Sequence, residues 1–221
     1  KHLVLATNSA TSSTNEVMLG FKLHPSGQDE RVKAAIICRG TGSNDYGQPQ
    51  FMSFCLDPTG DNANATVAND EKFRLNSDGT HRFPNMPSFC ANLNSGHMQG
   101  NGSSATTIVW NNEFYDNGSH YNTSNGRFTA PIAGIYRFSM FGMCWGGDGD
   151  TQFRFRKNGN AMHNSNGRGQ GNGGGFEPYG FTVTMSLAAN DYVEIQFYSS
   201  STGVKFYSGT NWNGFSGHLI G

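Results

Sequence analysis

The chain has 221 residues, of which only 14% are charged, and its formal net charge is -1, whereas soluble domains average about a quarter charged residues. This near-neutral balance argues against a nucleic-acid-binding domain, which needs a basic footprint. The length suffices for one large β-sandwich or for a smaller sandwich with an extra module, and either can bury a core without a metal or disulfide scaffold.

The first residues show no recognisable targeting signal. The apolar stretch within Lys1–Ala6 is too short for a signal peptide and is followed at once by polar residues. No later stretch is long and apolar enough to suggest a membrane span. Because the chain does not start with Met, we expect a fragment or a processed piece of a longer protein, without membrane insertion.

The first third of the chain predicts a small β-rich module. Strand candidates follow one another at Glu16–His24, Val32–Arg39, Phe51–Leu56 and Glu71–Phe83, the last bent at Asn76–Gly79. Pro84 and Pro87 then interrupt strand pairing. We therefore divide the chain into residues 1–86 and residues 87–221.

The second part shows repeated period-2 alternation, which is typical of antiparallel strands with one buried face. The alternating segments are Gln152–Arg156, Phe181–Leu187 and Tyr192–Phe197. Asn158 and Gly159 form a pair that readily adopts the positive φ of a tight hairpin turn. The sequence thus predicts an all-β, antiparallel sandwich.

A segment rich in Gly and Asn lies between two of these strands. Residues 158–175 contain a single charge, Arg168, and their composition predicts a long loop. Long loops inside compact domains are usually functional or disordered, so we expect this one to carry recognition.

Four cysteines are widely spaced, and none of them has metal-finger spacing. Cys38 and Cys144 lie in apolar runs, where a thiol behaves as a small hydrophobic group. Free, buried thiols are therefore expected for Cys38, Cys55, Cys90 and Cys144, with disulfides as the alternative.

Motifs across residues 88–221 resemble the head domain of the C1q-like family, within the complement/tumour necrosis factor superfamily. The residues at the family's signature spacings are Asp116, Tyr121, Phe128 and Gly134–Phe138, with Lys157–Gly159 similar to its central hairpin and Gly214–Ile220 to its closing strand. Trp110 and Met140 depart from the family's aromatic pattern but conserve bulk. The resemblance implies a jelly-roll sandwich; it does not determine function.

The first module shows a different resemblance. Asn69–Phe83 is similar to a strand-turn-strand element of phage tail-fibre shafts, and fibres of this kind often end in small globular heads. Tail fibres and C1q-like heads are typically trimers, so both resemblances imply a homotrimer.

The sequence contains no motif that indicates catalysis, and we expect no enzymatic activity. Asp148 and Asp150 could supply oxygens to Ca²⁺, but a Gly/Asp turn is the favoured interpretation, so no metal or other cofactor is expected. Glu113 and Asp116 resemble a glycosidase pair, although Asp116 occupies a family fold position, which favours a structural role.

Candidate ligand-binding residues are aromatic and polar side chains near strand ends or in the Gly/Asn segment, where a ring can stack on a sugar. They are Trp145, Arg168, Gln170, Tyr179 and Trp212. For each aromatic residue, packing in the core or in a trimer interface is the alternative.

The combined expectation is a trimeric viral tail-fibre tip on the virion surface, joined to other virion proteins upstream of Lys1. It would attach to a host surface receptor, which could be a glycan, and would not bind nucleic acid. The alternatives are a structural virion decoration or fibre-cap protein, a secreted C1q-like lectin and, least favoured, a depolymerase.

Overall fold

The computed structural model describes residues 15–22, 31–41, 48–61, 63–170 and 174–221, and of residues 163–170 it describes the backbone only. Strands account for 57% of the structure and helix for 2%, which confirms the all-β prediction. The chain divides into two compact units, Lys1–Asn85 and Met86–Gly221. In the described part, no helix has the length and apolar character needed to cross a membrane.

The first unit is an antiparallel sheet in which successive strands are neighbours. Its elements are β1 (Asn15–Phe21), β2 (Ala34–Thr41), β3 (Gln48–Leu56), α1 (Val67–Asp70), β4 (Glu71–Asn76) and β5 (His81–Arg82). All the strand candidates of this module are confirmed, with slightly shifted ends. The predicted bend is a turn in which Gly79 has a φ of 84°.

One face of this sheet is covered and the other is exposed. On β3, Phe51 and Cys55 are buried, whereas the alternating Met52 and Phe54 are each 42% exposed. Glu71 is also buried, and burial by itself would raise its pKa. Hydrogen bonds from neighbouring arginine and serine side chains outweigh that effect and hold the pKa of Glu71 below its usual value.

The second unit contains the remaining strands. They are β6 (Ser88–Asn92), β7 (Met98–Gln99), β8 (Thr106–Thr107), β9 (Asn112–Asn117), β10 (Tyr121–Asn122), β11 (Arg127–Thr129), β12 (Gly134–Trp145), β13 (Asp150–Lys157), β14 (Asn160–Gln170), β15 (Phe176–Leu187), β16 (Tyr192–Ser199), β17 (Lys205–Phe206) and β18 (Asn213–Leu219).

These strands form two antiparallel sheets that enclose one core. The six-stranded sheet has the order β10-β11-β16-β13-β14, with β8 also pairing with β16. The seven-stranded sheet has the order β7-β17-β12-β18-β6-β9, with β15 on the other side of β12. Phe155 of the first sheet contacts Phe138 and Phe215 of the second, at ring-centroid distances of 6.4 Å and 6.0 Å.

Aromatic rings dominate this core. Phe89 is fully buried and stacks on Tyr121 at 4.7 Å and on Phe128 at 5.0 Å, and it meets Phe215 edge-on at 4.8 Å. Trp110 is also fully buried. The aromatic positions of the sequence motif are therefore core positions, and they set the spacing between the sheets.

The prediction of a loop at residues 158–175 is wrong for most of this segment. Residues 160–170 form strand β14, which pairs with β13 from Asp150↔Gln170 to Lys157↔Asn160. β14 ends the strand order of its sheet, and backbone hydrogen bonds to one neighbour suffice there despite the low strand propensity of Gly and Asn. The predicted tight turn is confirmed, since Asn158 and Gly159 have φ values of 51° and 76°. Residues 171–173 lie outside the described part.

All four cysteines are free thiols, but they differ in burial. Cys55 and Cys144 are buried, while Cys38 and Cys90 are only partly covered. Burial, helped by nearby carboxylates, raises the pKa of Cys55 to about 11. This thiol is therefore protonated, and a poor nucleophile, at neutral pH.

Asp191 anchors the β13–β14 hairpin. The pKa of its carboxyl is lowered from 3.8 to about 2 by Lys157, whose Nζ lies 2.7 Å away, and by hydrogen bonds from Asn158 and the Ala188 N–H. A carboxyl group whose pKa is lower in the folded than in the unfolded chain stabilises the fold at pH values above its unfolded-state pKa. This stabilisation is lost as the pH falls through the folded-state pKa.

We expect the difference in Tm between the wild type and Asp191→Asn to be constant above about pH 5 and to shrink towards zero between about pH 4 and about pH 2. Thermal unfolding followed across this range measures it. A difference that persists undiminished at the acid end would contradict the assignment.

Candidate functional site

The outward face of the seven-stranded sheet concentrates exposed apolar side chains. Along β12 the burial alternates strictly, so that Phe138 and Met140 enter the core. The intervening Ile135, Phe141 and Trp145 face away from it and are 39%, 53% and 39% exposed. Arg137 and Ser139 separate Ile135 from the rest, whereas Phe141, Met143 and Trp145 occupy successive outward positions, and we call this row the apolar face. A single exposed apolar residue is ordinary, but a contiguous row of them marks an interaction surface.

Phe141 lies on this face between two glycines. Its backbone partners are Gly180 on β15 and Gly214 on β18. A Cβ atom at Gly214 would overlap the Phe141 ring, so the ring lies directly across the neighbouring backbone. The two strands beside β12 therefore place no bulky side chain next to the ring.

A cluster of rings adjoins the end of β12, and we call it the aromatic patch. Its members are His97, Trp145, Phe176, Tyr207 and Trp212. Phe176 is the hub: it is opposite Trp145 in the sheet, stacks on Trp212 at 5.5 Å and meets Tyr207 edge-on at 5.2 Å. Phe176 and Trp212 are 47% and 42% exposed, so the patch presents ring faces to solvent.

Buried hydrogen bonds hold the patch in place. The Asn213 side chain is fully buried; its Oδ1 accepts from the Leu93 N–H at 2.6 Å, and its Nδ2 donates to the Tyr207 carbonyl at 2.9 Å. The Ser208 N–H donates to His97 Nδ1 at 2.8 Å. A rigid aromatic surface of this kind can stack on the apolar face of a sugar with little loss of entropy.

The structure does not bring the predicted ligand-binding residues together. Trp145 and Trp212 both belong to the aromatic patch. Tyr179 points the other way, with its ring 5.2 Å from buried Phe153 and its hydroxyl donating to Glu177 at 3.1 Å. Burial, together with nearby Cys144 and Glu177, raises the pKa of Tyr179. These contacts favour packing, the alternative given for Tyr179, and its place in a ligand site stays a prediction.

Arg168 and Gln170 lie in β14 of the other sheet, where they are the backbone partners of Gln152 and Asp150. They are strand residues and not loop residues, which corrects the predicted setting of both. Their side chains lie outside the described part of the structure.

The acidic candidates have structural positions. Asp148 lies in the connection between β12 and β13, where Gly146 and Gly147 have positive φ, and Asp150 begins β13. This agrees with the turn interpretation. Across the described residues, no group of three or more His, Cys, Asp or Glu side chains could hold a metal ion. Asp116 Oδ2 accepts from the Tyr121 N–H at 2.7 Å, a fold contact as the motif implied.

A polar cleft of about 560 Å³ opens near the start of β12, away from the aromatic patch at its end. Its lining includes Glu113, His120 and Asn190. The cleft is open, and its lining is mostly polar.

Two residues of the apolar face were missed from the sequence. Phe141 falls out of phase with the buried Phe138 and Met140, and an apolar residue at a solvent-facing phase is a readable signal of an interface. Phe176 precedes the alternating segment of its strand, so its phase could not be assigned without the register to β12.

Comparisons with known proteins agree with this architecture. The profile of the C1q domain matches residues 88–220. The globular domain of zebrafish complement 1qA protein is 14% identical with a TM-score of 0.47, covering 62% of this chain and 98% of that one. Murine APRIL is 7% identical with a TM-score of 0.50, covering 61% and 99%, and Eiger TNF from S. frugiperda is 6% identical with a TM-score of 0.45, covering 62% and 93%.

The likeness to murine APRIL is one of fold alone, at this level of identity. No curated protein matches the chain.

Proposed function

The chain belongs to the C1q domain family through residues 88–220, and from this premise we propose that it is a trimeric, non-catalytic binding head. Domains of this family commonly bind receptors or other ligands and typically assemble as trimers. Membership of this family supports a binding function in general. The exposed surfaces of this chain support the trimeric assembly and the position of the ligand site.

The exposed apolar face of the seven-stranded sheet carries the proposal. Phe141, Met143 and Trp145 form an apolar row that a lone domain would leave at least partly in water. A closed cyclic trimer buries one such face from each chain and leaves no free copy of it. The aromatic patch at the end of the same face then supplies three equivalent sites, and weak single sites gain avidity from being linked.

The first unit supports an extended assembly for the same reason. The uncovered face of its sheet carries apolar side chains on β1, β3 and β4 that are each more than a third exposed: Leu19, Phe21, Met52, Phe54, Leu56 and Leu75. Surfaces of this kind are normally covered by association. A shaft made of several copies of the chain would cover it.

The specific role that we propose is attachment of a viral tail fibre to a host surface receptor, with the C1q domain as the tip. The strand-turn-strand element at residues 69–83, formed by β4 and β5, supports a shaft that precedes the tip. A secreted lectin would use the same head in the same way. Antibody labelling of purified virions separates the two, because only the fibre protein is virion-bound.

A test of the binding head measures assembly and ligand binding on the same samples. We expect sedimentation to show three times the chain mass of 24.0 kDa. On an array of bacterial and animal surface polysaccharides, Trp212→Ala should weaken wild-type binding by about tenfold, since one stacked ring contributes roughly 1–1.5 kcal/mol.

The matched control is Phe114→Ala, which removes a ring that is 55% exposed and lies outside the aromatic patch. We expect it to bind like the wild type. Equal binding by the wild type and Trp212→Ala would show that the ligand does not bind at the aromatic patch. A monomeric wild type would contradict the proposed trimer.

A further inference from the structure

The outward face of the six-stranded sheet carries a row of arginine side chains. Along β13 the buried Phe153 and Phe155 alternate with the partly exposed Arg154 and Arg156. Arg127 on β11 lies across the intervening strand β16. The surface formed by Arg127, Arg154, Arg156, Tyr192, Glu194 and Tyr198 is called the arginine face below.

Each of these guanidinium groups is fixed through its Nε atom. The acceptors are Glu194 Oε2 for Arg127 at 2.8 Å, Gln152 Oε1 for Arg154 at 2.8 Å and Gln196 Oε1 for Arg156 at 2.9 Å. Among the described residues, no hydrogen bond engages the Nη atoms of Arg154 and Arg156.

Tyrosine rings support two of the arginines. The Arg127 guanidinium lies 4.1 Å from the ring centroid of Tyr192, and that of Arg154 lies 4.9 Å from the centroid of Tyr198. Cation–π contacts of this kind limit the rotation of the side chain. The arginine face is thus built before any ligand arrives, and little entropy is lost when one binds.

Positive charge on this face is not fully neutralised. Glu194 is 3% exposed, and its carboxylate already accepts from Arg127 and from Thr107. No carboxylate in the described part lies within ion-pair distance of Arg154 or Arg156. The neighbouring strand β14 contains no Asp or Glu in its sequence. Asp150, at the end of β13, accepts from Gln152 at 2.6 Å.

The spacing of the arginines suits a ligand with repeated anionic groups. Arg154 and Arg156 are two residues apart, which is about 7 Å along a strand, and Arg127 is two strands from β13, which is about 10 Å. A guanidinium edge with two free Nη atoms can donate in parallel to a carboxylate or a sulfate.

We propose that the arginine face binds a polysaccharide that carries repeated carboxylate or sulfate groups. A nucleic acid fits less well: the chain's net charge is -1, and the faces of Tyr192 and Tyr198 that could stack on bases are covered by guanidinium groups. This site lies on the opposite sheet from the aromatic patch and is complete within one chain.

The test measures binding of the full chain to immobilised heparin, to polygalacturonate, to uncharged dextran and to a single-stranded oligonucleotide. The key variant is Arg154→Gln with Arg156→Gln. We expect its affinity for the anionic glycans to fall at least tenfold, which corresponds to the loss of about one charged hydrogen bond or more. The double variant Arg154→Lys with Arg156→Lys keeps the charge but loses the paired donors. Its binding to the anionic glycans should lie between that of the wild type and that of the double glutamine variant.

Lys157→Gln is the matched control, because it removes a charge from the same strand that Asp191 already neutralises at 2.7 Å. We expect it to bind within about twofold of the wild type. Thermal unfolding of every variant verifies that the fold is retained, and the single arginine variants replace the pair if the pair does not fold.

Stronger binding to the oligonucleotide than to either anionic glycan would overturn the proposal. The absence of binding to both anionic glycans would overturn it as well, and so would equal losses of glycan binding in Lys157→Gln and in the double arginine variant. These outcomes are separable from failure of the proposed function. Trp212→Ala tests the aromatic patch and should not change heparin binding, and sedimentation tests the trimer in a separate measurement.

Discussion

Replacing Phe89 by alanine is expected to lower the free energy of unfolding of the C1q unit by about 3–5 kcal/mol. Phe89 is fully buried and packs against Tyr121, Phe128 and Phe215 at ring-centroid distances of 5.0 Å or less. The loss combines the transfer of the ring from water with the cavity that remains. Since domains are stable by only about 5–15 kcal/mol, this variant should be among the least stable that still fold.

Tryptophan fluorescence during urea unfolding measures this effect in the unit concerned, because Trp110, Trp145 and Trp212 are the tryptophans of the chain and all lie beyond residue 86. Phe114→Ala makes the same chemical change at a position that is 55% exposed, where surface substitutions usually stay within about 0.5 kcal/mol. Wild type and variants are compared at one protein concentration, since assembly adds to apparent stability. Similar losses for both variants would show that Phe89 is not central to the core.

Phe141→Asp is expected to convert the proposed trimer into folded monomers at micromolar concentration. Phe141 belongs to the apolar face and is 53% exposed in the single chain. Interface residues at such positions contribute about 2–4 kcal/mol each. The symmetry of a trimer places three copies of any substitution in the assembly, and each would bury an unpaired carboxylate. Because the side chain faces away from the core, the C1q unit itself should keep its fold.

Sedimentation velocity and the tryptophan emission spectrum together measure this outcome. Asn160→Asp serves as the control, since it adds the same charge to an exposed position of the six-stranded sheet. We expect the control to stay trimeric. If Phe141→Asp stays trimeric as well, the chains associate through another surface and the apolar face needs a different partner.

Local patterns sufficed to predict the fold class. Alternation in Phe181–Leu187 and Tyr192–Phe197 identified strands β15 and β16 and the residues that face the core, because a strand's side-chain period is two whatever its neighbours are. The Asn158–Gly159 turn followed in the same way, from the positive φ that this residue pair tolerates. The residues that resemble the C1q motif are mostly core aromatics, which explains why a short pattern identifies the whole sandwich.

The arrangement of surfaces required the tertiary structure. Strand pairing is non-local: β12 pairs with β15 and β18, which follow it by some thirty and seventy residues. Only that register shows that Trp145 and Trp212 meet through Phe176 and that Tyr179 packs inward. The same holds for β14, whose Gly/Asn composition predicts a loop but whose backbone pairs with β13 at the sheet edge. Local preference and period determine what each segment can form, whereas the hydrogen bonds between distant strands decide which side chains share a face.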